Sequence, residues 1–134
     1  MIRSVGLHHV SLSVSDLEKA KDFYGRILGL KEIERPPFDF PGAWYSIGTQ
    51  QIHLIVHPAS ETIRRNEKID TKEGHVALRI KDYDEALSWL RKQGVKVLEK
   101  PDSKSGFAQI FCCDPDGNIV ELNVDRQDYI SKKN

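Results

Sequence analysis

Two stretches of the chain alternate apolar and polar residues in the same way. Val10, Leu12 and Val14 alternate with His9, Ser11 and Ser13, and Val76, Leu78 and Ile80 alternate with His75, Ala77 and Arg79. A period of two predicts strands with one apolar face. A helix start follows each strand. Ser15 with Glu18, and Asp82 with Glu85, have capping-box spacing, and Leu17, Ala20, Phe23, Tyr24, Ile27 and Leu28 then recur at helical intervals. Gly29 and Gly94 stand where a left-handed helix stop is expected, and Lys31 to Arg35 and Val95 to Glu99 read as short strands. Each stretch then closes with a predicted hairpin. Ala43 to Ile47 and Gln51 to Val56 are joined by Gly48-Thr49-Gln50. Phe107 to Cys113 and Asn118 to Val124 are joined by Asp114-Pro115-Asp116-Gly117, which suits a type I turn.

The likeness between the two stretches is an internal repeat. A shift of 66 residues sets His9-Val10-Ser11-Leu12 over His75-Val76-Ala77-Leu78, Asp16 over Asp82 and Ala20 over Ala86. The expected fold is therefore α+β, two βαβββ modules forming a cupped mixed sheet with helices on the outside. One domain over residues 1–134 is expected, with a first module at about 6–57, a polar linker with at most a short helical turn at 58–73, and a second module at about 74–125.

Composition narrows the function classes. The 134 residues are 39% hydrophobic and 30% charged, the mixture of a soluble globular domain. Twenty basic residues balance twenty acidic ones, so no net field favours nucleic acid or anionic lipid, and neither is expected as a partner. No apolar run approaches the roughly 20 residues that a bilayer requires. Cys112 and Cys113 are adjacent and point to opposite faces of a strand, which excludes an ordinary disulfide between them. Buried thiols in a reducing, cytoplasmic location are expected.

The repeat also pairs chemically useful residues. His9 and His75 occupy the same slot in the two copies, and aligning the last strands sets His53, between Ile52 and Leu54, over Glu121, between Val120 and Leu122. Alternation sends all four side chains away from the apolar faces. A lone strand histidine is most simply a half-buried packing residue. A packing role for two duplicated histidines does not, however, account for a carboxylate placed opposite His53. His9, His53, His75 and Glu121 are thus candidate ligands for one divalent ion of Zn, Ni, Co, Mn or Fe(II), and His9, His75 and Glu121 alone make a two-histidine, one-carboxylate set with open positions.

These residues sit in motifs that resemble the vicinal oxygen chelate superfamily. The motifs are Gly6-Leu7-His8-His9-Val10 before a helix ending Tyr24-Gly25-Arg26-Ile27-Leu28-Gly29-Leu30, then Gly74-His75-Val76-Ala77-Leu78, then Asp114-Pro115-Asp116-Gly117-Asn118-Ile119-Val120-Glu121-Leu122. That superfamily holds glyoxalase I, fosfomycin and bleomycin resistance proteins, methylmalonyl-CoA epimerase and extradiol dioxygenases. The resemblance spans about residues 6 to 125 and implies metal ligands at His9, His75 and Glu121, with position 53 as a fourth site that some members use. Glyoxalase I usually has a glutamate near that position as part of its acid-base machinery, where this chain has His53. The resemblance also places His53 or His57 where extradiol dioxygenases keep an acid-base histidine, although a solvent-facing residue beside Pro58 is the plainer reading of His57.

The expected function is a metal-dependent, glyoxalase-like lyase or isomerase. Its small-molecule substrate would chelate through two neighbouring oxygens, Glu121 would be the catalytic residue, and a homodimer is the expected assembly. An Fe(II) extradiol-type dioxygenase and a non-catalytic drug-binding resistance protein are the alternatives, the second disfavoured because simple sequestration needs no metal ligands. The Pro36 to Gly42 loop with Trp44, Lys104 in the 102–106 turn, and Arg64 with Arg65 could touch a substrate, but they read first as surface turns and a solvated linker.

Overall fold

The structure is a computed structural model that describes residues 1–133, so the last residue of the expected domain, Asn134, lies outside the described residues. The chain divides into two compact units, Met1 to Ile63 and Arg64 onward. The first holds β1 (His9–Val14), α1 (Leu17–Lys21) continuing as a wider π-helical segment (Asp22–Ile27), β2 (Lys31–Ile33), β3 (Gly42–Ile47) and β4 (Gln50–Val56). The second holds β5 (His75–Arg79), α2 (Tyr83–Lys92), β6 (Leu98–Lys100), β7 (Phe107–Cys113), β8 (Ile119–Asp125) and α3 (Arg126–Lys133). Each unit builds one four-stranded mixed sheet, ordered β1-β4-β3-β2 and β5-β8-β7-β6. The two orders are the same βαβββ topology, and His9 and His75 open the equivalent first strands.

Burial explains why the repeat folds this way. In the first unit Val14, Ala20, Tyr24, Ala43, Tyr45, Ile52 and Leu54 are buried, and in the second Leu90, Ile110, Phe111, Cys112, Val120, Leu122 and Val124 are. The helix covers one side of its sheet in each case, which leaves the alternate strand residues for other work. Asp16, rather than Ser15, caps α1: its carboxylate accepts from the Lys19 amide at 3.0 Å. Asp82 does the same for Glu85 at the start of α2, so the cap is itself part of the repeat. Gly29 and Gly94 take the positive φ expected of helix stops. The first hairpin turns on Gly48 and Thr49 alone, because Gln50 already belongs to β4.

Residues 58–73 hold turns and no helical turn. Arg64 fastens this segment to the β7–β8 turn by donating to the Gly117 carbonyl at 2.9 Å, and braces the segment itself through the Lys68 carbonyl at 2.6 Å. Gly117 has φ of 85°, and a Cβ there would collide with the Asn66 carbonyl oxygen. Gly117→Ala therefore combines a left-handed backbone with a backbone collision, and it is expected to cost about 3 kcal/mol in urea unfolding. A loss below about 1 kcal/mol would show that the turn relaxes freely. The polar α3 lay beyond the sequence expectations. It is held by Lys132 on Asp82, by Lys133 on Asp84 at 2.8 Å, and by Tyr129 edge-on to Tyr83.

Candidate functional site

Strand register builds the candidate residues into two pairs, one in each unit. In the second unit β5 runs parallel to β8 with Ala77 opposite Glu121, so His75 lies diagonally beside Glu121. His75 Nε2 stands 3.0 Å from Glu121 Oε1. The other nitrogen, Nδ1, lies 2.8 Å from the Glu73 carbonyl oxygen, which can only accept, so Nδ1 carries a proton. The other carboxylate oxygen, Oε2, accepts from Gln109 Nε2 at 3.0 Å and Asn123 Nδ2 at 2.7 Å. In neutral imidazole, Nε2 and Oε1 are then two acceptors aimed at each other. Such an arrangement requires a proton or a cation between them.

That observation tests the fit of a divalent ion. Two ligand atoms about 2.1 Å from one ion stand about 3.0 Å apart at a right angle and about 3.4 Å apart at a tetrahedral angle, so the observed separation is close to what a shared ion needs. The proton on Nδ1, given to a carbonyl, is also the usual support of a ligating histidine. Glu121 is 4% exposed, and a carboxylate so deeply buried requires compensation of this kind.

In the first unit His53 sits between two rings. His9 stacks on it at 4.0 Å between centroids and 16° between planes, and Trp44, its neighbour in the β3–β4 register, stacks at 3.9 Å and 3°. His53 Nε2 meets Gln51 Oε1 at 2.7 Å, and His9 Nδ1 meets His8 Nδ1 at 2.9 Å. Burial, reinforced by His9, His8 and Arg35, holds the His53 imidazole below its ordinary pKa and so in the neutral form that can ligate. Imidazole planes fixed from both sides leave only ring edges for a ligand.

Among the described residues, no group of three or more His, Cys, Asp or Glu side chains comes together in a metal-binding arrangement, so the four candidates stand as two pairs. His57 is exposed and lies just past β4. Arg64 is spent on the turn contacts described above. The 36–42 loop does more than turn. Phe38 and Phe40 stack at 5.2 Å under the Arg35 guanidinium, and Phe38 reaches Trp44 at 6.2 Å, so an aromatic wall runs from the loop to His53. Sequence reasoning gave no role to His8, Gln51, Gln109 or Asn123. The signal for the last two was available, since both alternate in phase with Glu121 on adjacent antiparallel strands.

Comparison with known proteins identifies the family and the fold. The family model described as Glyoxalase/Bleomycin resistance protein/Dioxygenase superfamily matches residues 6–122. A lactoylglutathione lyase from Neisseria meningitidis serogroup B is 31% identical over 121 residues, 87% of this chain and 88% of its own length. Glyoxylase I 4 from Arabidopsis thaliana is 29% identical over 87% of this chain and 68% of its own. Among solved structures, a glyoxalase family protein from Bacillus anthracis matches with TM-score 0.78 at 27% identity, over 93% of this chain and 99% of its own. The fosfomycin resistance protein FosX from Listeria monocytogenes, in a mutant form complexed with Mn(II) and 1S,2S-dihydroxypropylphosphonic acid, shares the fold at TM-score 0.73 and 21% identity, over 96% of this chain and 99% of its own. With its duplicated βαβββ topology and a family match over most of its length, the chain belongs to the Glyoxalase/Bleomycin resistance protein/Dioxygenase superfamily.

Proposed function

We propose that the protein is a metal-dependent, glyoxalase-like enzyme of lyase or isomerase type, acting on a small substrate that chelates through two neighbouring oxygens. The observation that carries the reading is the pair of acceptors, His75 Nε2 and Glu121 Oε1, held 3.0 Å apart with every other polar atom of the two groups already bonded. Two ligands are too few for a catalytic divalent site, which ordinarily draws three or more from the protein. His9 and His53 are the further ligands in this proposal. Three neutral imidazoles and one carboxylate leave one net positive charge on a divalent centre, which favours an anionic chelate.

When bound, the ion supplies Lewis-acid stabilisation of an enolate or related oxyanion. The chain's own residues do the rest. Glu73 holds the His75 tautomer. Trp44 and His9 fix the plane of His53. Glu121, the catalytic residue of this proposal, offers Oε1 toward His75 as its ligand atom. The FosX complex with Mn(II) and a vicinal diol, and the lactoylglutathione lyases among the relatives, support this class of chemistry. A cytoplasmic homodimer belongs to the same proposal. No helix among the described residues is long and apolar enough to cross a membrane.

Acetohydroxamate, a compact chelator with two neighbouring oxygens, tests the reading by calorimetry. It is expected to bind the Mn(II)- or Zn(II)-loaded protein and not the metal-free protein. Equal binding to both forms, or to neither, contradicts an open metal position. The second reading, an Fe(II) dioxygenase, is favoured by the extra histidine at position 53. Oxygen uptake with catechols by the Fe(II)-loaded protein is its test.

A further inference from the structure

Glu121 is held from one side only. Gln109 and Asn123 face each other across the β7–β8 ladder, both are buried, at 8% and 5% exposure, and both donate to the same oxygen, Oε2. Behind them, Arg79 on β5 donates from Nε to Asn123 Oδ1 at 2.7 Å, and its guanidinium lies over the Phe107 ring at 5.0 Å. A guanidinium has no acceptor, so Arg79 fixes the sense of the Asn123 amide: the carbonyl must turn to Arg79, and the amino group then points to Glu121. Reversing the amide would break both contacts at once. We infer that Gln109 and Asn123, with Arg79 setting the Asn123 amide, are positioning residues that make Glu121 a one-oxygen ligand by engaging Oε2 and presenting Oε1 alone toward His75. The inference rests on the metal reading above and adds the residues that shape the ligand.

The chemistry of the change is simple. Without the two donors a carboxylate can rotate and offer both oxygens, and an unsupported buried oxygen gains by turning to any cation nearby. Loss of outer support typically weakens metal affinity by about 10- to 100-fold.

Titration of the metal-free protein with Co(II), followed by its visible absorption, tests this. Gln109→Leu and Asn123→Leu are each expected to weaken Co(II) binding about 10- to 100-fold with unchanged far-ultraviolet dichroism, and the double variant is expected to shift the Co(II) spectrum as Glu121 changes its mode of binding. Arg79 is exposed, so substitutions there spare the core. Arg79→Met is expected to weaken binding by a smaller factor of about 3 to 10, and Arg79→Lys, which restores a donor to Asn123, to recover most of it. If the leucine variants do not fold, the Arg79 pair decides. Folded variants that bind Co(II) with the parent's affinity and spectrum overturn the assignment while leaving the metal reading intact. A parent that binds no divalent ion overturns both.

Discussion

Glu121→Gln is expected to lower divalent-ion affinity by more than about 100-fold while leaving the fold intact. Loss of a direct ligand must cost more than loss of its outer support, which already costs about 10- to 100-fold. The glutamine is nearly isosteric. Its oxygen can still accept from Gln109 and Asn123, and its amino group can donate to the lone pair on His75 Nε2, so two opposed acceptors become a donor and an acceptor. The metal-free variant should accordingly match or exceed the parent in thermal stability. The difference appears on adding the ion. At about 100 times its dissociation constant the ion should stabilise the parent by about 2.7 kcal/mol and the variant very little. Differential scanning calorimetry with and without Zn(II) checks both halves of the expectation. A variant stabilised by Zn(II) as strongly as the parent removes Glu121 from the ligand set.

The second large effect concerns reaction class. A metal-bound imidazole has its lone pair engaged and cannot readily act as a base, so His53 cannot serve as the glutamate usual near this position of glyoxalase I would. The parent is expected to turn over the methylglyoxal-glutathione hemithioacetal weakly or not at all. His53→Glu is expected to raise that activity, because the β4 position carries the side chain on the same face as His9 and Gln51 can hydrogen-bond the carboxylate through its amide nitrogen. Steady-state kinetics on the hemithioacetal decide it. Robust parent activity that His53→Glu destroys would make this chain a glyoxalase I with an unusual ligand.

Much of the architecture was legible from residue order because the chain states its module twice. Period-two alternation opening on His-Val-x-Leu, followed by an aspartate at 16 or 82 that caps a helix, marked β1 with α1 and β5 with α2. The α1 cap fell one residue out, since Ser15 and Asp16 are both good caps and only the equivalence of Asp16 to Asp82 separates them. The π-helical segment was not legible. No capping or periodicity signal separates its residues from an ordinary α-helix, and within it Gly25 lies against the Tyr45 ring, a strand residue distant in sequence. Nor was α3, whose polar sequence has no apolar stripe and which docks through lysines on Asp82 and Asp84. Of the candidate site, alternation and repeat singled out His9, His53, His75 and Glu121, whereas the placing of His75 beside Glu121 comes from the β5–β8 register. The supporting bonds were legible only in part: Asn123 follows Glu121 by two on the same strand, whereas the place of Gln109 depends on which residue of β7 falls opposite Asn123. The stacking of His9, His53 and Trp44 was hidden for the same reason, Trp44 being opposite His53 only in the folded register.

Elemental analysis of the purified protein after reconstitution and removal of loose metal is the most direct measurement of the central claim. The parent should retain about one divalent ion per chain, and His75→Ala and Glu121→Ala should retain almost none while keeping the parent's dichroism. A parent that emerges without metal, or alanine variants that hold the ion as well as the parent does, would contradict it.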